Sequence, residues 1–205
     1  MKEPNQQELD SQFSPLNPPD AYHPPSSENI ALLDLHPFLQ KLVGEHETIR
    51  AALVKFEEAI MTMKEKGVTQ EVNESLKNFF QFFNDEFIPH AKREEKTLFP
   101  ILAQVLKKER ELSIGSGETT AVDLMEDDHL KAIQLTVVIF NFFGLVSRLK
   151  DQVSRDLVMD AALEQSDQLI ELLRLHIFRE DTIVFPLAHK FINLQELNRL
   201  QLNKD

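Results

Sequence analysis

From Pro37 onward the apolar residues recur at steps of three and four, the spacing of one face of an α-helix. Leu39, Leu42, Val43, His46, Ile49, Leu53, Phe56, Ile60 and Met63 form a first stripe, and Gly67 is placed to stop the helix that carries it. Thr69 can cap a second helix with the stripe Val72, Leu76, Phe79, Phe80, Phe83, Phe87, His90 and Glu94. Pro89 is expected to bend that helix just before His90, because an interior proline removes a backbone hydrogen bond. After Pro100 an extension over 101–110 leads to a glycine-paired loop at 114–120. Thr120 opens a third helix, with Met125, His129, Ile133, Thr136, Phe140 and Phe143 inward and an end near Lys150 to Ser154. A fourth carries Leu163, Ile170, Leu173, His176 and Glu180, bends at Pro186, and is followed by Asn193 and Glu196 in capping-box spacing for a short tail helix. The pattern predicts an all-α, antiparallel up-down four-helix bundle over 30–205.

Residues 1–29 depart from this pattern. They hold Pro4, Pro15, Pro18, Pro19, Pro24 and Pro25 among Ser, Asn and Gln, with little to bury, and read as an extended or disordered arm. The remaining length, with 42% apolar residues overall, suits one domain. A net charge of −12 excludes a phosphate-backbone partner, which would require clustered Lys and Arg. The most apolar run, 135–146, is too short to span a bilayer, and the N-terminus carries no apolar signal run. The expectation is a soluble cytoplasmic protein that engages neither nucleic acid nor membrane.

Composition also narrows the chemistry. With no cysteine, disulfides, thiolate zinc sites and iron–sulfur ligation are all excluded, so any metal must sit on nitrogen and oxygen. Tyr22 is the single tyrosine, and it lies in the arm, which leaves redox work to a metal. A candidate metal set is present. HAKREEKTLFP at 90–100 returns in altered form as HIFREDTIVFP at 176–186. Four helical residues advance about 400°, so His90 shares a face with Glu94, and His176 with Glu180. His46 and His129 lie 44 and 47 residues upstream of the two motif histidines. In an antiparallel hairpin, residues equally far from the turn are level; by that count both His46/His90 and His129/His176 meet, the second turn being centred between Gln152 and Val153.

Four imidazoles and two carboxylates exceed what one tetrahedral zinc needs and suit two octahedral-leaning ions sharing bridging carboxylates. Iron, or manganese, fits best; an oxo or hydroxo bridge and substitution by zinc are compatible with the same donors. Arg93 and Arg179, one position before the glutamates, are expected outward or sideways. Glu95 and Asp181 fall about 140° off the ligand face and rank as supporting or exposed groups. Glu47 and Asp128 adjoin a histidine in sequence only, and His23, His36 and His189 read as ordinary.

These residues resemble the hemerythrin-like, or HHE cation-binding, family: a first-helix His, HxxxE on helix two, a third-helix His, and HxxxE on helix four. EEKTLFP is similar to the EExxLFP that often follows there. The resemblance implies that His46 and His90 hold one iron, His129 and His176 the other, and that Glu94 and Glu180 bridge them. Oxygen carriers of the family have a second His four residues after the third-helix ligand, where this chain has Ile133, and an Asp five after the last His, where it has Asp181. The symmetric set looks closer to the repair-of-iron-centres proteins and to iron- and oxygen-sensing domains. The implied function is a di-iron protein that binds or reacts with O₂, NO or peroxide in stress response or iron-centre repair. The alternative is a non-catalytic sensor or iron-handling module.

Overall fold

The computed structural model describes residues 32–109 and 120–202; the arm, His23 and most of the glycine-paired loop lie outside them. Helix α1 (Pro37–Lys66) starts on a proline whose φ is already helical, and His36 Nδ1 accepts from the Phe38 N–H as its cap. Gly67 closes it at φ 76°, a conformation a side chain resists, and returns its N–H to the Met63 carbonyl. Thr69 then caps α2 through the Val72 N–H.

Helix α2 runs without a break through 70–109. It joins the α-helical lengths Gln70–Phe82, Ile88–Arg93 and Phe99–Glu109 by two π-helical turns, Phe83–Phe87 and Glu94–Leu98. The fourth helix, α4, is built the same way: Gln152–Arg179, a π turn at Glu180–Val184, and Phe185–Phe191. The turns close on hydrogen bonds from Ile88 N–H to the Phe83 carbonyl, Phe99 to Glu94 and Phe185 to Glu180, each spanning five residues. A proline follows every one of them at once, as Pro89, Pro100 or Pro186. The change of element expected at Pro100 is therefore replaced by continuous helix, and Pro89 and Pro186, where bends are expected, each lie just past a π turn within a helix that continues. One extra residue in the preceding turn shifts the hydrogen-bond ladder, so the missing proline donor falls where the helix is already widened.

Thr120 and Asp123 form a reciprocal capping box at the head of α3 (Ala121–Val146). The helix ends at Val146, short of the Lys150–Ser154 region expected; residues 147–151 turn the chain, and Asp151 caps α4 through the Ser154 N–H. Its buried face is Val122, Met125, Asp128, His129, Ala132, Leu135, Thr136 and Ile139. Of the expected stripe, Ile133 and Phe143 are only half-buried and Phe140 is 60% exposed, edge-on to Phe80. By length and composition α3 could cross a membrane, a test that the twelve-residue apolar run alone did not suggest and that bundle helices also pass. Helix α5 (Leu194–Leu202) is capped as expected, Asn193 Oδ1 accepting from the Glu196 N–H.

Helix α1 packs on α2 and α4, α3 on α4 and on the last length of α2, so neighbours alternate up and down around one core; among the described residues there is no strand. That core is divided in two. One apolar cluster joins Leu39, Leu42, Leu98, Phe99, Met125, Phe185 and, from α5, Leu197 and Leu200. The other joins Ile49, Leu53, Phe56, Phe79, Phe87, Ala132, Ile139 and Leu173. On each of α1 to α4 the histidines and glutamates singled out above lie where the two clusters meet.

Candidate metal centre

His46, His90, Glu94, His129, His176 and Glu180 converge in this intervening layer, none more than 2% exposed. They form two foursomes, His46–His90–Glu94–Glu180 and Glu94–His129–His176–Glu180, in each of which one donor atom from every residue lies within 4.8 Å of the others. The two glutamates belong to both. Glu180 Oε2 is 3.0 Å from His46 Nε2 and 3.2 Å from His176 Nε2, and Glu94 Oε2 is 3.4 Å from His90 Nε2 and 3.5 Å from His129 Nε2. The equal-height count explains the first hairpin well. In the second, His129 lies 17 residues before the end of α3 and His176 lies 24 after the start of α4, yet the two rings stand 4.6 Å apart. The surplus turns at the head of α4 carry Val153 and Leu157, both mostly exposed.

The donors suit a cation. Both oxygens of Glu94 and of Glu180, and Nε2 of His129 and His176, are buried without a hydrogen-bond partner. Leaving such groups unmatched costs on the order of several kcal/mol for each carboxylate. His46 Nε2 and His90 Nε2 stand 3.1 Å apart, close to the separation of two adjacent ligands each about 2.1 Å from a shared ion. A cation bound among them would supply the counter-charge and lone-pair acceptor that these buried donors lack.

Behind the layer stands a collar of carboxylates on the outer ring nitrogens. Nδ1–H of His46 donates to Asp181 Oδ1 at 2.8 Å, and Nδ1–H of His90 donates to Glu45 Oε2 at 2.8 Å. His129 Nδ1 is 3.0 Å from Glu95 Oε1, and His176 Nδ1 is 3.7 Å from Asp128 Oδ2. At His46, His90 and His129 such a partner accepts the Nδ1–H, so that the neutral ring presents Nε2 inward as its bare nitrogen. Arginines hold three of them in turn: Arg50 on Asp181, Arg93 on Glu45, and Arg179 on Asp128. Arg93 and Arg179 thus face sideways as expected, while Glu47 is exposed and pairs only with Arg50.

Glu95 and Asp181 prove to be supports, and Asp181 is buried as deeply as the core. Each sits one position past its motif glutamate in a π turn, and in a bundle that direction meets the outer edge of the next helix's histidine. Glu45 and Asp128 escape helix-by-helix reading for the same reason. The available signal was the repeat itself: an acidic residue immediately precedes each single histidine, and another immediately follows each motif glutamate. The recurring phenylalanines have a place too. Phe185 stacks on His46 with centroids 5.4 Å apart, and Phe99 on His129 at 5.8 Å.

Burial alone would push His46 down, but its bond to Asp181 and the negative charge of Glu180 beside it outweigh that and raise its pKa to about 9. His176 behaves alike: burial opposes, the charges of Glu180 and Asp128 prevail, and it rises to about 10. Glu180 is held well below the carboxylate range against its burial by the two imidazoles beside it. Glu45, opposed by its partial burial, is drawn down to about 2 by His90 and Arg93.

His36 and His189 stay outside this layer. His36 donates its backbone N–H to His189 Nδ1 and its Nε2–H to Asn198 Oδ1, fastening α5 to the start of α1. A cavity of about 90 Å³ lined by Glu45, Thr48, Ile49, Phe82, Glu86, His90 and Arg93 opens on the outer edge of His90. A larger groove of about 560 Å³ along α1 and α2 contains none of the six residues. Comparison with known proteins gives one match: residues 38–188 fit the family described as Hemerythrin HHE cation binding domain. No curated protein and no solved structure matches the chain.

Proposed function

The chain belongs to the hemerythrin HHE cation-binding family, and on that premise we propose that it is a cytoplasmic non-heme di-iron protein that binds or reacts with O₂, NO or peroxide. His46 and His90 would hold one ion and His129 and His176 the other, with Glu94 and Glu180 available to both. The observation that carries this reading is the sharing of both glutamates between the two foursomes. When bound, iron would supply a ferrous–ferric couple that the imidazoles and carboxylates of the layer do not have in themselves.

The protein's part is to hold and to shield. The carboxylate collar holds the His46, His90 and His129 rings facing inward, and Phe87, Phe99 and Phe185 line the layer with apolar surface. Walls of this kind favour small neutral ligands and keep water from reactive species. Manganese and zinc are the expected substitutes on nitrogen and oxygen donors.

Metal content together with the absorption of the oxidised protein tests the proposal. Two irons per chain with near-ultraviolet absorption of a bridged diferric pair supports it; a single zinc with no such band overturns it. A second reading, a sensor or iron-handling module, is favoured by one observation. The buried unpartnered donors come from α2, α3 and α4, so ion loss would loosen the bundle as a whole. Rapid repeated reoxidation by NO or peroxide in stopped flow supports the enzyme. One stoichiometric event with a large shift in Tm supports the sensor.

A further inference from the structure

The chain writes its metal layer twice, yet the two copies differ. Four residues after His46 stands Arg50, which pairs with the buried Asp181 and so locks the partner of the His46 ring. Four residues after His129 stands Ile133, which packs on apolar neighbours instead. Glu95, the partner of His129, is 39% exposed, and no arginine or lysine among the described residues pairs with it. The other rings repeat the difference. His90 bonds Glu45 at 2.8 Å, whereas His176 and Asp128 stand 3.7 Å apart, beyond hydrogen-bond reach.

We infer that the two positions retain their ions unequally: the His46–His90 position is the fixed one, and the His129–His176 position exchanges its ion with solution. This rests on the two-ion reading above. An ion leaves only when its ligands swing away, and a ring swings when its outer nitrogen is let go. At His46 that requires breaking a buried carboxylate–arginine pair. At His129 it requires only that a surface carboxylate turn into water, and His176 has no hydrogen bond on Nδ1 to break. Arg50 is thus a positioning residue acting through Asp181. The cavity beside His90 does not reverse the order, because it meets the edge that Glu45 and Arg93 already clasp.

The test loads the full chain anaerobically with ferrous iron and follows its transfer to an excess of a chromogenic ferrous chelator. The expected result is two phases of one ion each, their rates differing about tenfold or more, the scale on which outer partners alter metal binding. Arg50→Ile should accelerate the slow phase toward the fast one, and Ile133→Arg should retard the fast phase alone. Glu95→Gln, at an exposed position that leaves the core intact, should accelerate the fast phase only. Circular dichroism checks that each variant folds, and the Glu95 variant decides the matter should Arg50→Ile not fold. Two ions leaving at a single rate, or a slow phase that responds to Glu95→Gln, would overturn the inference alone. One ion per chain at saturation would overturn the dinuclear reading and the inference with it.

Discussion

Asp181 and His46 are separated by 135 residues of chain and sit on the packed helices α4 and α1, where they share a hydrogen bond of 2.8 Å with neither side chain open to solvent. The second oxygen of Asp181 belongs to Arg50, so the carboxylate has one bond to give on each side. Asp181→Asn keeps the size but presents an amide where a charge is needed. Either His46 loses its acceptor or Arg50 faces a donor. Ferrous affinity at the first position should fall about 10- to 100-fold, measured by competition with a chelator, with helicity unchanged. An unaltered affinity would mean that Asp181 only fills space.

Glu94→Ala and Glu180→Ala should each lose most of the bound iron, because each removes a carboxylate common to both foursomes. His189→Ala should retain its iron. Its Nδ1 accepts one backbone N–H from His36, far from the layer, and its loss should cost about 1 kcal/mol of stability. Elemental analysis of the three purified proteins separates the outcomes, and equal iron in all three refutes the ligand assignment.

That these six side chains share one buried layer was legible in the sequence because a helix confines its chemistry to one face, and His90–Glu94 and His176–Glu180 obey that spacing directly. The caps at Thr69, Thr120 and Asn193 were legible for the same local reason. What single-helix geometry could not give was anything that depends on the neighbouring helix. Asp181, Glu95, Glu45 and Asp128 act across the gap between helices, and each looks peripheral on its own. Phe140 misled in the opposite direction: its apolar side chain suits the inward stripe, but α3 turns the adjacent Ile139 inward instead. The π turns were hidden because proline is ordinarily a sign of interruption, and only the backbone shows how the extra residue absorbs it.

Protons and metal compete for the same ring nitrogens, which fixes the direction of the pH dependence. His46 and His176, with pKa raised to about 9 and about 10, stay protonated in the metal-free bundle at neutral pH. Their folded values exceed the unfolded value near 6.5, so their stabilisation of the metal-free form is complete below about pH 6.5 and fades as the pH rises through 9 and 10. Loading must displace those protons, so metal binding strengthens over the same window. The Tm difference between loaded and metal-free protein should therefore widen from pH 6.5 to 9. Adding ferrous iron to weakly buffered protein near pH 7.5 should release protons; a Tm difference that narrows over this range would contradict the assignment.

Phe185 and Phe56 are both fully buried and both stacked on a ring, but on different partners. Phe56 lies on Phe79 with centroids 3.9 Å apart, deep in the cluster away from the metal layer, whereas Phe185 lies on His46. Truncating either to alanine opens a cavity and should cost about 3–5 kcal/mol. The stability losses should thus be alike in urea titrations of the metal-free protein. Metal retention should not be. Removing Phe185 takes away the surface against which the imidazole is pressed and gives that ring room to tilt off its ion, while Phe56→Ala leaves the layer's own contacts in place. Chelator-driven release should quicken in Phe185→Ala and stay at the wild-type rate in Phe56→Ala once both are compared at temperatures equally far below their Tm. Matched release rates in the two variants would show that the phenylalanine closing each repeat serves packing alone.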